Sequence, residues 1–131
     1  MLTGRCLCGA VRYEVAKPID SLVFCHCSRC RKESGSAFDS IAVLDGGDFR
    51  LEEDSAAPHA YEAAGGTRYS CAECSTTVYS IKDRLPGKAL VRAGTLDQDP
   101  GPVTRTHIFV GSKASWDRIP DDETQFDEWP T

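Results

Sequence analysis

Long apolar runs are missing from this sequence. No stretch of its 131 residues approaches the roughly 18 consecutive apolar residues that a membrane-spanning helix needs. Apolar residues make up 40% of the chain and charged residues 27%, which is ordinary for a globular protein and too apolar for a disordered one. The sequence therefore predicts a folded chain with no membrane partner.

An excess of positive charge is missing as well. The formal net charge is -5 and the sequence pI is near 5.1. Domains that bind nucleic acids usually have a pI above about 9, with their basic residues gathered on one face. The charge balance therefore predicts no nucleic-acid partner.

The N-terminal residues offer no recognisable targeting segment. Residues 1–6 have neither the apolar stretch of a signal peptide nor the amphipathic pattern of a transit peptide. We therefore expect a cytoplasmic location, where closely spaced cysteines are more often metal ligands or redox groups than disulfides. The chain has seven cysteines, an odd number that cannot all pair with one another. Metal binding is the leading interpretation of these residues.

Helical periodicity is weak along the whole chain, and no repeat is present. Glycine and proline recur at short intervals between runs rich in Val, Ile, Phe and Tyr, which is typical of many short strands. The predicted strands are residues 10–16, 21–24, 37–44, 48–52, 67–70, 77–81, 89–93 and 105–110. Short helical turns are predicted at residues 28–34 and 112–116. The length favours one mainly β domain over residues 1–131.

The segment that begins at Cys6 has two interpretations. A regular strand would place Cys6 and Cys8 together on the face away from the core, because side chains alternate between the faces of a strand. The opposite, core-facing set would then be Leu7, Val11, Tyr13 and Val15. A turn or bulge at Gly9 would instead rotate the later residues and leave only the pairing of the two cysteines intact.

The cysteines form three clusters. We call them the N-terminal pair (Cys6 and Cys8), the central triplet (Cys25, Cys27 and Cys30) and the late pair (Cys71 and Cys74). Two thiolates one to four residues apart can bind one tetrahedral zinc at about 2.3 Å, and two such pairs complete a structural site. Four cysteines would thus fill one site and leave three for a second. A zinc with three protein ligands keeps a position open for chemistry.

Spacing alone leaves two groupings open. Cys27 and Cys30 could join the late pair in a four-cysteine ribbon. This grouping would leave over the N-terminal pair and Cys25, which come from two distant segments. Joining the N-terminal pair to the late pair instead leaves the central triplet as a compact local tripod. The second grouping is favoured because the three cysteines that it leaves over come from one short segment.

These motifs resemble the glutathione-dependent formaldehyde-activating enzymes, a family that centromere protein V also resembles. The resemblance covers nearly the whole chain. It rests on residues 4–14 (GRCLCGAVRYE), 25–36 (CHCSRCRKESGS), 71–74 (CAEC), 93–97 (AGTLD), 107–109 (HIF) and 112–117 (SKASWD). It implies several small antiparallel sheets in one zinc-stabilised domain. One departure is Ser75, where the family has glycine: Ser75 must accept the glycine conformation or donate its hydroxyl to a thiolate.

The resemblance also implies a function. It implies a structural zinc on the N-terminal and late pairs, and a catalytic zinc on Cys25, Cys27 and Cys30. The implied reaction joins formaldehyde to glutathione, the co-substrate, giving S-hydroxymethylglutathione, and is classed as a carbon-sulfur lyase reaction. A free thiol has a pKa near 8.5, so a metal that holds it as thiolate supplies the nucleophile.

Three basic residues surround Cys30 in sequence. Arg29, Arg31 and Lys32 are predicted to receive the carboxylates of glutathione, and the alternative is a solvated basic edge. His26 lies between two predicted ligands and is expected to pack behind them rather than bind metal. His107 is likewise expected to be structural.

Two other functions are weighed against the enzyme. The first is a non-catalytic, zinc-stabilised binding or scaffold module in which the fourth position is filled and nothing is turned over. The second is a thiol-disulfide oxidoreductase, which the missing βαβ pattern disfavours. At the C-terminus, we expect Trp116 and Trp129 to pack on the core and residues 121–123 to form a solvated acidic loop.

Overall fold

The computed structural model describes residues 1–130, and Thr131, the last residue of the predicted domain, lies outside the described residues. The strands are β1 (Leu2–Arg5), β2 (Arg12–Val15), β3 (Ser21–Cys25), β4 (Asp39–Asp45), β5 (Phe49–Leu51), β6 (His59–Ala63), β7 (Gly66–Ser70), β8 (Thr77–Lys82), β9 (Lys88–Arg92), β10 (Thr104–Ile108) and β11 (Thr124–Gln125). The α-helix is α1 (Ser28–Ser34). Single 3-10 turns lie at Gly46–Asp48, Ala93–Thr95 and Val110–Ser112. The predicted mainly β fold with short helical turns is confirmed.

The strands form two sheets. The smaller sheet has the order β1-β2-β5 and is antiparallel throughout. The larger has the order β11-β10-β3-β4-β9-β8-β7-β6, and β10 runs parallel to both β3 and β11. It is therefore wider than the small antiparallel sheets that the family resemblance implies. The parallel pairing follows from the long connection that returns the chain from β9 to the side of β3.

All eight predicted strands are present, with ends shifted by a few residues. The prediction missed β1, β6 and β11. The first has glycine in place of a regular apolar alternation, the second is almost entirely exposed, and the third is two residues long. None of the helices in residues 1–130 has the length and apolarity that crossing a bilayer requires.

Helix α1 begins and ends where the sequence predicts. Cys27 caps its N-terminus by accepting a hydrogen bond from the Cys30 amide, and Gly35 ends it with φ of 64°. The second predicted turn, at residues 112–116, overlaps two observed turns. A 3-10 turn lies at Val110–Ser112, directly after Phe109 with its φ of 56°. A second turn is closed by the Asp117 amide, which donates to the Ala114 carbonyl at 3.1 Å.

The turn interpretation of the Cys6 segment is correct, and the regular strand is wrong. Gly9 has φ of 81° and donates its amide to the Cys6 carbonyl at 3.1 Å, which closes a tight turn. Leu7 is consequently 87% exposed, whereas Cys6 is buried rather than turned away from the core. The thiol of Cys6 therefore lies where the two sheets meet.

The main core lies between the two sheets. Val11, Tyr13 and Val15 are fully buried in it, as the alternation in the sequence predicts. The Tyr13 hydroxyl lies 2.7 Å from Oγ1 of Thr95. Gly4, opposite Tyr13 in the ladder, leaves room for the ring: a Cβ at Gly4 would lie 2.1 Å from a ring carbon. This close approach requires glycine in β1.

Candidate metal centres and a basic cavity

The N-terminal pair and the late pair come together in one four-sulfur cluster. Cys6 and Cys8 lie in the turn after β1, and Cys71 and Cys74 lie in the turn between β7 and β8. All four sulfurs lie within 4.8 Å of one another, with Cys6 to Cys8 and Cys8 to Cys71 both 3.7 Å. A zinc with sulfurs at about 2.3 Å sets them about 3.8 Å apart, whereas a disulfide requires about 2.05 Å. The spacing therefore fits a tetrahedral metal site.

Hydrogen-bond donors lie against three of these sulfurs. The Val11 amide donates to Cys6 Sγ at 3.3 Å, and the Glu73 amide donates to Cys71 Sγ at 3.3 Å. The Thr76 hydroxyl, 3.2 Å from Cys74 Sγ, lowers the pKa of Cys74 to about 5. Donors aimed at sulfur stabilise its charged form, which is the form that binds metal.

Ser75 adopts the left-handed backbone conformation that favours glycine. Its φ is 66°, and its amide donates to the Cys71 carbonyl at 2.9 Å, which closes the turn around the late pair. The hydroxyl beside a cysteine sulfur belongs to Thr76, not to Ser75. The departure from glycine is thus accommodated by the backbone.

The central triplet forms a separate three-sulfur tripod. Cys25 ends β3, Cys27 caps α1 and Cys30 lies in the first turn of that helix. The sulfurs of Cys25 and Cys27 are 3.5 Å apart, and all three lie within 4.8 Å of one another. In residues 1–130 no histidine or carboxylate joins them, and the alternative ribbon of Cys27 and Cys30 with the late pair is not formed.

Contacts among the three sulfurs of the tripod shift the pKa of each thiol. Cys25 and Cys30 lower the pKa of Cys27 to about 2 through their contacts with its sulfur. Cys27 in turn raises the pKa of Cys25 to about 11, and contact with Cys25 raises the pKa of Cys30. Three sulfurs this close do not ionise together unaided, because like charges repel. A divalent cation would stabilise all three thiolates, so the donor set fits zinc.

A cavity of about 980 Å³ opens over the tripod, and Cys25, Cys27 and Cys30 all line it. The four-sulfur cluster does not line this cavity. The basic lining residues are Arg29, Lys32, Arg68, Lys82, Arg84 and Arg92, and the acidic one is Glu33. A chain of net charge -5 thus concentrates positive charge at one site. Such a cavity attracts anionic ligands.

Buried ion pairs neutralise part of this charge. Arg92 Nη2 lies 2.8 Å from Glu33 Oε1, and Arg92 Nε lies 3.0 Å from Asp39 Oδ2. Burial raises the pKa of Asp39 to about 6, although Arg92 opposes the shift. Arg68 Nη1 lies 3.6 Å from Glu33 Oε2. Arg92 and Arg68 therefore already have carboxylate partners within the protein.

The predicted basic residues divide into two kinds. Arg29 and Lys32 line the cavity, and the Arg29 guanidinium lies 3.4 Å from the Ala64 carbonyl. Arg31 does not line the cavity, and its Nε is buried. Sequence reasoning missed Lys82 and Arg84, which strand β8 and the loop after it bring to the same cavity. No local motif signals them, because their approach depends on sheet order.

His26 turns away from the tripod into a buried histidine pair. Its Nε2 lies 2.8 Å from Nδ1 of His107, and His107 Nε2 lies 2.7 Å from Glu123 Oε1. His26 is fully buried, as expected for a residue behind the ligands. Glu123, by contrast, does not belong to a solvated loop, and its contact with His107 lowers its pKa.

The two C-terminal tryptophans behave differently. Trp129 packs edge-on against Phe109 with ring centroids 5.1 Å apart, as the sequence predicts. Trp116 is 71% exposed, so its predicted packing on the core is wrong.

Comparisons with known proteins bear on this site. The model of a family described as glutathione-dependent formaldehyde-activating enzyme matches residues 1–112. A protein of Halomonas elongata named for that activity is 29% identical over 127 residues, covering 91% of this chain and 81% of that protein. The crystal structure of a Rhodobacter sphaeroides protein aligns with a TM-score of 0.63 at 22% identity, covering 79% of this chain and 98% of that chain. The last likeness concerns the fold alone.

Proposed function

The chain belongs to the family of glutathione-dependent formaldehyde-activating enzymes, and from that premise we propose that the tripod is a catalytic zinc site for adding glutathione to formaldehyde. The observation that supports this proposal most directly is the difference between the two sulfur clusters. Only the tripod has three ligands and a cavity beside them. Open coordination next to a cavity is the arrangement that catalytic zinc uses.

The proposed chemistry is redox-neutral. Zinc held by three thiolates would leave one position for a substrate thiol and keep that thiol ionised. The substrate sulfur forms a bond to the carbonyl carbon of formaldehyde, the carbonyl π bond opens, and the proton lost from sulfur ends on the oxygen. The product is S-hydroxymethylglutathione, and the reverse step cleaves a carbon-sulfur bond, as in a lyase.

Side chains of the cavity supply binding and orientation. Glutathione carries two carboxylates, and Arg29 and Lys32 on helix α1 present cations beside the tripod. No carboxylate of residues 1–130 lies within salt-bridge distance of these two side chains, in contrast to Arg92. They are therefore available to a substrate carboxylate. Arg31 is left out of this binding role, because it does not line the cavity.

The four-sulfur cluster has a structural role in this proposal. It joins the turn after β1 to the turn between β7 and β8, which belong to different sheets. Zinc bound there would tie the two sheets together, and such metal binding contributes folding free energy directly.

Zinc content and catalysis in two matched variants test the proposal. We expect two zinc ions per chain by mass spectrometry of the native protein. Cys27→Ser should lose the tripod zinc and the acceleration of adduct formation while staying folded, whereas Cys71→Ser should lose the fold. The rate is measured by NMR exchange between formaldehyde and its adduct, above the uncatalysed background.

Two results would contradict the enzyme. Unchanged acceleration in Cys27→Ser would remove the tripod from the chemistry. Two bound zinc ions with no acceleration in the native protein would instead identify the non-catalytic scaffold module.

A further inference from the structure

The lining of the cavity over the tripod also contains apolar side chains. Six of them form what we call the apolar wall: Ile41, Leu85, Leu90, Ile108, Phe109 and Trp129. The same residues pack in one hydrophobic cluster with Cys25, Cys27 and Cys30. The sulfurs thus pack with the apolar wall and line the same cavity as the basic residues.

Formaldehyde and glutathione leave this wall without a partner. Formaldehyde has a single carbon and no substituent, and the carboxylates of glutathione match the basic lining. An apolar surface inside a ligand cavity favours a ligand with apolar surface, because removing both from water is favourable. The wall adjoins the atoms at which the new carbon-sulfur bond would form.

We propose that the apolar wall receives the hydrocarbon substituent of a larger aldehyde, so that the site prefers apolar aldehydes to formaldehyde. This inference rests on the proposed function. The chemistry is the same addition: sulfur bonds to the carbonyl carbon, and the thiol proton ends on the oxygen. The product is a hemithioacetal that carries the aldehyde's side chain, with no oxidation or reduction.

Trp129 is the specificity-determining residue in this proposal. Its ring is held edge-on by Phe109, and the Arg84 guanidinium lies 4.3 Å from its centroid. The Phe109 amide donates to the Glu128 carbonyl at 3.1 Å, which fixes the backbone next to Trp129. The ring is therefore a preformed part of the wall. It lies beyond residues 1–112, the part of the chain that the family model matches.

An aldehyde series tests the preference. The zinc-loaded full chain is assayed with glutathione and formaldehyde, propanal or hexanal. Each buried methylene should raise kcat/KM about threefold to fourfold. If formaldehyde is turned over but kcat/KM stays constant or falls as the aldehyde chain lengthens, this inference is overturned and the proposed function stands. No acceleration with any aldehyde would overturn both.

Substitution of the wall gives a second test. Trp129→Ala should lower the hexanal-to-formaldehyde ratio of kcat/KM about tenfold or more, and Leu85→Ala should lower it less. Trp116→Ala is the matched control, because that side chain is exposed and does not line the cavity. Binding of S-methylglutathione and S-hexylglutathione, measured by calorimetry, provides a readout independent of turnover. An unchanged ratio in Trp129→Ala, or equal affinity for the two thioethers, would overturn the inference.

Discussion

His26 and His107 share a buried hydrogen bond of 2.8 Å between ring nitrogens, which connects the link between β3 and α1 to strand β10. The Glu123 carboxylate only accepts, so His107 Nε2 donates to it at 2.7 Å. In the neutral form of His107, Nδ1 then accepts from His26 Nε2. Because His26 lies between Cys25 and Cys27, the histidine pair positions two of the three tripod sulfurs.

The first prediction concerns this pair. His107→Phe removes the acceptor for His26 and should weaken zinc binding at the tripod about tenfold, the lower end of effects reported for groups behind metal ligands. The four-sulfur cluster is built on other turns and should keep its zinc. Chelator competition, followed as two separate zinc-release steps, measures both sites. His59→Phe is the control, because His59 is exposed on strand β6. Equal loss from both sites would indicate general unfolding instead of a positioning role.

The grouping of the seven cysteines could be favoured from sequence, because each cluster is local. The tripod comes from six consecutive residues, 25–30, whose spacing already limits how far apart the sulfurs can be. The position of Cys6 was harder to predict. Its burial depends on the positive φ of Gly9, which converts an apparent strand into a turn.

Residues that meet through sheet order had no sequence signal. Lys82 and Arg84 reach the cavity because β8 lies two places from β4 in the larger sheet. Glu123 reaches His107 because β11 pairs in parallel with β10. Such long-range pairings depend on strand register, and a single sequence shows little of that register. The basic residues of the cavity were therefore only partly predicted.

The second prediction concerns the strained turn at Ser75. At a φ of 66°, a residue other than glycine destabilises the folded protein by about 1–2 kcal/mol. Replacement by glycine removes this strain, but it also gives the unfolded chain more conformational freedom, which offsets part of the stabilisation. Ser75→Gly should therefore raise the free energy of unfolding by about 0.5–1 kcal/mol in urea titrations of the zinc-loaded protein. Ser36→Gly, at an exposed loop position without positive φ, should not stabilise the protein. Destabilisation by Ser75→Gly would show that the serine makes a compensating contact.

The third prediction follows from the buried hydroxyl of Tyr13. Burial raises the pKa of Tyr13 from 10.0 to about 12. The unfolded chain therefore loses this proton near pH 10, while the folded protein keeps it, and stability must fall as the pH rises between these values. Two pKa units correspond to about 3 kcal/mol. Urea unfolding at pH 9 to 12 should show this loss in the native protein.

The Tyr13→Phe variant separates this effect from other alkaline transitions. It should be less stable at pH 9, because the hydrogen bond between the Tyr13 hydroxyl and Thr95 Oγ1 is lost, yet it should lose less stability on going to pH 12. Tyr61→Phe, at a half-exposed position, should keep the native pH dependence. Parallel stability curves for the native protein and Tyr13→Phe would refute the assignment.

The fourth prediction tests which basic residues face the substrate. Arg29→Gln and Lys32→Gln each remove a cation that lines the cavity and should raise the KM for glutathione about threefold to tenfold, the range for partly solvated charged hydrogen bonds. The kcat should change little, since these contacts are the same in the ground state and the transition state. Added salt should raise the KM of the native protein in the same direction, because it screens the cavity's charge.

Arg31→Gln is the matched control for this pair. It removes the same charge from the same helix, but Arg31 does not line the cavity. If Arg29 and Lys32 contact the substrate carboxylates directly, the KM of Arg31→Gln should stay near the native value. An equal rise in all three variants would mean that the helix contributes only a diffuse positive field, which acts at a distance and does not depend on where each side chain points. The difference between Arg29→Gln and Arg31→Gln therefore distinguishes a binding site from a charged edge.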